Sequence, residues 1–200
     1  MRSMRVKAVL TMALALTLSA CGLNSVPSAE ENAKARWADV QADYQRRANL
    51  IPNLVSTVKA SAQSEDKILS DVINARARAT QVNVSAENLT NPDQMQKFAQ
   101  AQGGLNGSLS RLLATVESYP QLKSQDNFQT LMSQLEGSEN RIAIAVRDYN
   151  SAVQEYNTTI RTFPDAIGAK VFYGAKPMVP YQATTPNADV APTVDFGNMN

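Results

Sequence analysis

Histidine is missing from the sequence, and cysteine occurs once in 200 residues. Without an imidazole there is no histidine-based zinc site, catalytic triad or di-iron cluster, and proton transfer near neutral pH would fall to a strongly shifted carboxylate, lysine or tyrosine. A non-catalytic protein is the expectation, with neither metal nor cofactor. One cysteine excludes an internal disulfide. Charge of one sign is also lacking: 19 basic residues stand against 18 acidic ones, a net of +1. Nucleic acid is therefore not an expected partner. Long hydrophobic runs are scarce as well. Ala8 to Leu18, eleven residues, is too short for a helix that must cross a hydrocarbon core about 30 Å thick.

What is there begins with that run. Arg2, Arg5 and Lys7 precede it and Leu18-Ser19-Ala20-Cys21 closes it, which gives the three regions of a secretory signal in order. Leu-Ser-Ala-Cys resembles the bacterial lipobox, in which the cysteine takes a diacylglyceryl group on sulfur and, after cleavage, becomes an acylated N-terminus. The lone cysteine stands where a lipobox needs it. Three acyl chains, at about 0.8 kcal/mol per buried CH₂, exceed what stable attachment requires, so a membrane reached through the acyl chains on Cys21 is the first expected partner. Loss of residues 1–20 removes three basic residues, leaving 16 against 18 acidic ones, a net of −2. Gly22, rather than aspartate, follows the cysteine. In a Gram-negative cell with the enterobacterial sorting rule, this favours the periplasmic leaflet of the outer membrane.

Gly22 to Pro27 reads as a short tether, after which Ser28 and Glu31 make a capping box. From Ala33 through Trp37, Val40, Tyr44, Ile51, Val55 and Val58 to Ala62 the apolar residues step by three and four, predicting a helix over about 28–62. The stripe passes through Arg47 and Ala48. A second helical segment runs from about Glu65 to Val82. A third starts at Asn91-Pro92 and carries Met95, Phe98, Leu105, Leu109, Leu112 and Val116, interrupted by Gln102. Gly103, Gly104 and Gly107 lie in it and suggest close helix packing, since a phosphate-cradling loop would need a lysine and a preceding strand. A fourth stripe runs from Phe128 to Phe163, and Pro164 stops it. No segment alternates strongly enough to argue for a sheet. The expected fold is all-α: an antiparallel up-and-down four-helix bundle over 28–164, followed by an irregular arm over 165–200 with Pro177, Pro180, Pro186 and Pro192. The apolar "VFYGAKPMVPY" within the arm is expected to lie against the domain.

The features of "QRRANLIPNLVSTVK" and of the fourth segment resemble the LemA family. They are Arg46-Arg47, Leu50-Ile51-Pro52-Asn53-Leu54-Val55, Glu117 with Tyr119-Pro120, Asn127-Phe128, Glu139-Asn140-Arg141-Ile142, Arg147, Tyr149-Asn150, Tyr156-Asn157 and Phe163-Pro164. In the arm they are Pro180-Tyr181 and Ala191-Pro192-Thr193-Val194-Asp195-Phe196. The resemblance implies a helical bundle facing away from the cytoplasm, with no established biochemical activity. Two departures stand out. Many relatives keep an uncleaved N-terminal membrane helix where this chain offers a lipobox, and relatives usually carry phenylalanine after the Pro-Tyr of the arm where this chain has Gln182.

Pro52 cannot donate to the carbonyl of Ala48, so the helix is expected to kink or restart there, with Asn49 available as a cap. Arg46, Arg47, Asn53, Glu139, Asn140, Arg147, Asn150 and Asn157 are the candidate site residues. As a network between the first and fourth helices they would satisfy the free carbonyl and fix helix register, as one buried asparagine does in coiled coils. As a pocket they would hold a ligand. The leading functional expectation is a non-catalytic envelope lipoprotein that binds another envelope protein. Because relatives often occur beside membrane-protease genes, a membrane protease is the candidate partner and envelope stress or membrane-protein quality control the candidate role. The alternative is a module holding a lipid or small amphiphile between its helices. A catalytic reading would rest on Glu117, Glu136 and Glu139.

Overall fold

A computed structural model describes the backbone of residues 2–61 and 66–182, and the side chains of 24–60 and 66–182. The side chain of Cys21, Ala62 and Glu65, and arm residues 183–200 with Pro186 and Pro192, lie outside those residues. Among the described residues the chain is all-helical, with no strand.

The first helix, α1 (Arg2–Ser61), passes without a break through the expected tether and both of its prolines, Pro27 and Pro52. The capping box at Ser28 therefore marks no helix start. The reason is visible in the packing. Val26 and Ala29 are buried and carry the stripe of Ala33, Trp37, Val40 and Tyr44 backwards at the same three- and four-residue steps. Burial of that stripe outweighs the local breaking tendency of Gly22 and Pro27. Asn49 caps nothing; its side-chain oxygen accepts from Gln45 Nε2 at 2.9 Å.

Helix α2 (Asp66–Gln81) is short, and a 3-10 turn (Ala86–Asn88) leads from it to α3 (Pro92–Val116). The start of α3 follows the sequence signal. Pro92 occupies the first turn, and Asn91 Oδ1 accepts from the N–H groups of Asp93 and Gln94 at 3.0 and 3.3 Å. Gly104 and Gly107 do not serve close packing, since a Cβ at either would meet nothing within 4 Å. After the single turn α4 (Pro120–Lys123) comes α5 (Asp126–Thr159), then α6 (Asp165–Gly168) merging into a π-helical turn (Ala169–Tyr173). Gly174, at φ 55°, ends that turn in the left-handed region that glycine adopts without strain, and the chain leaves without regular secondary structure through Gln182.

Helices α1 and α5 run antiparallel, for Trp37 packs on Tyr149 and Arg47 reaches Glu139. Helix α3 runs parallel to α1, with Phe98 against Trp37 and Tyr44, and Gln102 against Arg47. The interior forms two apolar clusters. One holds Val26 to Tyr44 of α1, Met95 to Ala99 of α3 and Ile142 to Tyr156 of α5. The other holds Ile51 to Val58, Leu105 to Val116 and Phe128 to Leu135 of the same three helices. Helix α2 contributes only to the second, through Leu69, Val72, Ala75 and Ala79. Its 16 residues extend about 24 Å against about 51 Å for the 34 residues of α5. Alongside the first cluster its place is taken by Val84 and Leu89 of the connection and by Ala169, Met178 and Tyr181. The half around the second cluster thus has four helical walls, and the half around the first has three helices closed by irregular chain.

Candidate functional site

Between the two apolar clusters lies a polar layer. Arg47, 2% exposed, falls between Tyr44 and Ile51 on α1; Gln102 falls between Ala99 and Leu105 on α3; Glu139 falls between Leu135 and Ile142 on α5. Arg47 Nη1 donates to Glu139 Oε1 at 2.7 Å and Nη2 to Gln102 Oε1 at 3.0 Å. The amide of Gln102 then donates onward to the carbonyl of Ala79 at the end of α2, at 3.2 Å. The guanidinium carbon sits 5.0 Å from the centroid of the Tyr44 ring, within cation–π range. Arg47 thereby links α1 to α3 and α5, and through Gln102 to α2. Its Nε is the buried polar side-chain atom without a partner among the described residues. Glu139, 44% exposed at its side chain, opens the layer to a cleft of about 370 Å³ that Gly103, Asn106, Val146 and Tyr181 also line.

The carbonyl of Ala48, left without its helical partner by Pro52, is taken by a different residue from those expected. Arg76 Nε, on α2, donates to it at 2.8 Å. A tertiary donor satisfies the acceptor in place, and α1 continues without restarting.

Asn150 and Asn157 do not join the layer at all. They hold the arm. Asn157 Nδ2 donates to the Met178 carbonyl and Met178 N–H donates back to Oδ1, both at 2.9 Å. Asn150 does the same with Tyr181, at 2.9 and 2.8 Å. Seven residues of helix rise about 10.5 Å, and three residues of extended chain span about 10 Å, so the two amides match the spacing of the two arm residues. Between them the Tyr149 hydroxyl donates to the Val179 carbonyl at 2.8 Å, and Val179 N–H donates to the Leu89 carbonyl at 2.8 Å. Pro180 has no N–H to satisfy. Tyr181 then enters the aromatic group of Trp37, Tyr44 and Phe98, with ring centroids 6.0 to 6.1 Å away, and its hydroxyl lies 2.7 Å from that of Tyr44. Burial pushes the hydroxyls of Tyr44, Tyr149 and Tyr181 above their ordinary range; for Tyr181 the neighbouring Tyr44 adds to this. Trp37 Nε1 donates to the Val84 carbonyl at 2.7 Å and pins the connection on the same side.

Four expected site residues face solvent elsewhere. Arg46 is exposed and pairs with Asp43 one turn back, at 2.9 Å. Asn53 and Asn140 are exposed, and Arg147 is exposed beside Asp148. The three carboxylates of the catalytic reading do not share a site: Glu117 and Glu136 line one cleft together with Lys123, and Glu139 lines the cleft below Arg47. Among the described residues no cluster of three or more acidic or cysteine side chains is placed to hold a metal. Gln102, Arg76 and Tyr181 are structural partners outside the candidate site residues; Gln102 showed in the sequence as the interruption of an apolar stripe and Tyr181 in the Pro-Tyr of the arm, whereas Arg76 carried no signal.

The model of the LemA family matches residues 36–196, a span that takes in the polar layer, the asparagine pair and the arm as far as Phe196. The chain belongs to the LemA family. Among curated proteins this LemA chain is similar to the magnetosome proteins MamQ 2 and MamQ 1 of Paramagnetospirillum magneticum, each 29% identical over 157 residues, 70% of this chain and 58% of the relative. It is also similar to the magnetosome protein MamQ of Magnetospirillum gryphiswaldense, 27% identical over 172 residues, 78% of this chain and 63% of the relative. The chain thus spans about three fifths of the length of the curated relatives it matches. Among the described residues no helix is long and apolar enough to cross a membrane.

Proposed function

We propose that this LemA protein is a membrane-associated envelope lipoprotein, attached through acyl chains on Cys21, whose helical body is a non-catalytic module for binding another envelope protein. In this reading α1, α2, α3 and α5 serve as an antiparallel up-and-down bundle that the arm completes. The observation that carries it is where the conspicuous polar side chains are engaged. Arg47, Gln102, Asn150, Asn157 and Tyr149 bond helices and arm to one another, which leaves recognition to exposed side chains such as Arg46, Asn53, Asn140 and Arg147. Membership of the LemA family and the kinship with MamQ support membrane association. A membrane protease as partner, a role in envelope stress or membrane-protein quality control, and the periplasmic leaflet of the outer membrane remain parts of the proposal.

A second reading, a small amphiphile held between the helices, is favoured by one feature: the cleft of about 370 Å³ below Arg47, whose Nε lacks a partner. One experiment separates the two. A photo-crosslinking residue is placed at Asn140 or Arg147 in the full-length chain, made in its own cells, and the products are identified by mass spectrometry. A reproducible adduct with one envelope protein supports the first reading. A purified chain that carries a stoichiometric lipid and yields no protein adduct supports the second. Wild-type chain recovered unlipidated and soluble would overturn the attachment.

A further inference from the structure

Large apolar side chains face solvent within a short stretch at one end of the molecule. Phe163 is 82% exposed, Val171 and Phe172 are 68% exposed, and Ile167 is 57% exposed. Phe163 lies just before α6, and the other three lie on α6 and the π-helical turn that follows it. The opposite side of this stretch is anchored. Gly168 and Ala169 are buried, Ala169 in the same cluster as Val26, and Asp165 accepts a hydrogen bond from Ser25 at 2.5 Å. The apolar side therefore points away from the body at the level of residue 25 of α1. Exposed patches of this kind mark interaction sites more often than chance.

Two observations say what covers it. The first is position. Ser25 follows Cys21 by four residues, about 6 Å of helix, and follows Leu18, the end of the N-terminal apolar run, by seven residues, about 10 Å. Any attachment through that N-terminus brings a bilayer to this end. The second is charge. Arg161, Lys170 and Lys176 are exposed around the patch, and its one acid, Asp165, is bonded to Ser25. Aromatic and aliphatic side chains flanked by arginine and lysine are the pattern of a segment lying in a membrane interface.

We infer that residues 161–176 form a second membrane contact. Phe163, Ile167, Val171 and Phe172 enter the interface of an anionic bilayer, and Arg161, Lys170 and Lys176 meet its phosphates. The inference deepens the proposed membrane association, on which it rests for bringing the bilayer near. Its consequence is orientation. An N-terminal anchor alone lets the body tilt, whereas a second contact at the same end fixes which faces of α3 and α5 look outward to a partner.

The test uses the full chain with Phe172→Trp, reconstituted in vesicles of phosphatidylethanolamine and phosphatidylglycerol with brominated acyl chains. The native Trp37 is 1% exposed and supplies a constant background. Ile144→Trp is the control, since Ile144 is 50% exposed on α5, 15 residues or about 22 Å of helix before its end. The expected result is at least twofold quenching of the new indole at position 172 and none at position 144. Equal quenching at both positions, or none at either, overturns the inference. If substitution of Phe163 and Phe172 by serine dissolves a dimer in sedimentation while position 172 stays unquenched, the patch is covered by a second copy, which also overturns it. Flotation, read separately, reports the N-terminal attachment. If wild-type chain does not float, the attachment has failed, and quenching on chain added to the same vesicles from solution still decides the inference.

Discussion

Asn150 and Tyr181 exchange two hydrogen bonds: the tyrosine N–H donates to Oδ1 at 2.8 Å, and Nδ2 donates to the tyrosine carbonyl at 2.9 Å. An asparagine side chain here presents to the arm the donor and acceptor that a neighbouring strand would present, and Asn157 repeats it on Met178. A carboxylate cannot replace it, having no donor for the carbonyl. Asn150→Asp or Asn157→Asp should each lower stability by about 1 to 3 kcal/mol, measured in urea melts. Each should also speed proteolytic cleavage between Gly174 and Gln182. Unchanged cleavage would mean that the aromatic contacts of Tyr181 alone hold the arm.

Pro52 and Arg76 are coupled through an atom that belongs to neither, the carbonyl of Ala48. Arg76→Ala leaves that carbonyl unsatisfied in a partly buried place and should cost about 1 to 3 kcal/mol. With Pro52→Ala in the background, residue 52 regains the N–H that α1 needs, so the cost of Arg76→Ala should fall to within about 1 kcal/mol. The same cost in both backgrounds would show that Arg76 acts through packing of its stem instead.

Alkaline pH should unfold the protein through its tyrosines. Burial raises the hydroxyls of Tyr44, Tyr149 and Tyr181 in the folded state, so the folded chain holds their protons when the unfolded chain, with hydroxyls near 10, has begun to lose them. Their stabilising contribution is complete below about pH 10 and is lost as pH rises from there toward the raised folded values. Tyrosinate absorbance at 295 nm should show the buried fraction ionising together with the loss of helical circular dichroism. Ionisation of all six tyrosines near pH 10 with the helices intact would contradict the buried placement.

The helical stripes were legible because burial repeats with the period of the helix, and Arg47 stood out because it sits on the stripe between Tyr44 and Ile51. Asn150 and Asn157 were legible as one face, seven residues apart. What they bind was not, since the arm that fills them has no periodicity and its fit depends on a rise matched across 21 and 31 residues of chain. The loss of the Ala48 hydrogen bond follows from Pro52 alone, whereas the donor that replaces it, Arg76, comes from another helix and carries no local signal. Helix α1 runs on through Gly22 to Pro27 for a related reason: Gly22 and Pro27 are breakers locally, but Val26 and Ala29 are buried against the rest of the fold. The half of the body without α2 was hidden because helix length, not pattern, decides it.

The central claim is that the Arg-Arg pair divides its work, with Arg47 holding the helices in register and Arg46 facing solvent. A double-mutant cycle of Arg47→Ala with Glu139→Gln, read by urea melts of the full chain beside Arg46→Ala, tests it most directly. Breaking a fully buried pair costs about 3 to 5 kcal/mol. Because water reaches Glu139, the expected loss for Arg47→Ala is about 2 to 3 kcal/mol, with a coupling to Glu139 above about 1 kcal/mol. Arg46→Ala should cost about 1 kcal/mol or less. Equal, small losses at both arginines with no coupling to Glu139 would contradict the account and return the pair to the surface as a binding site.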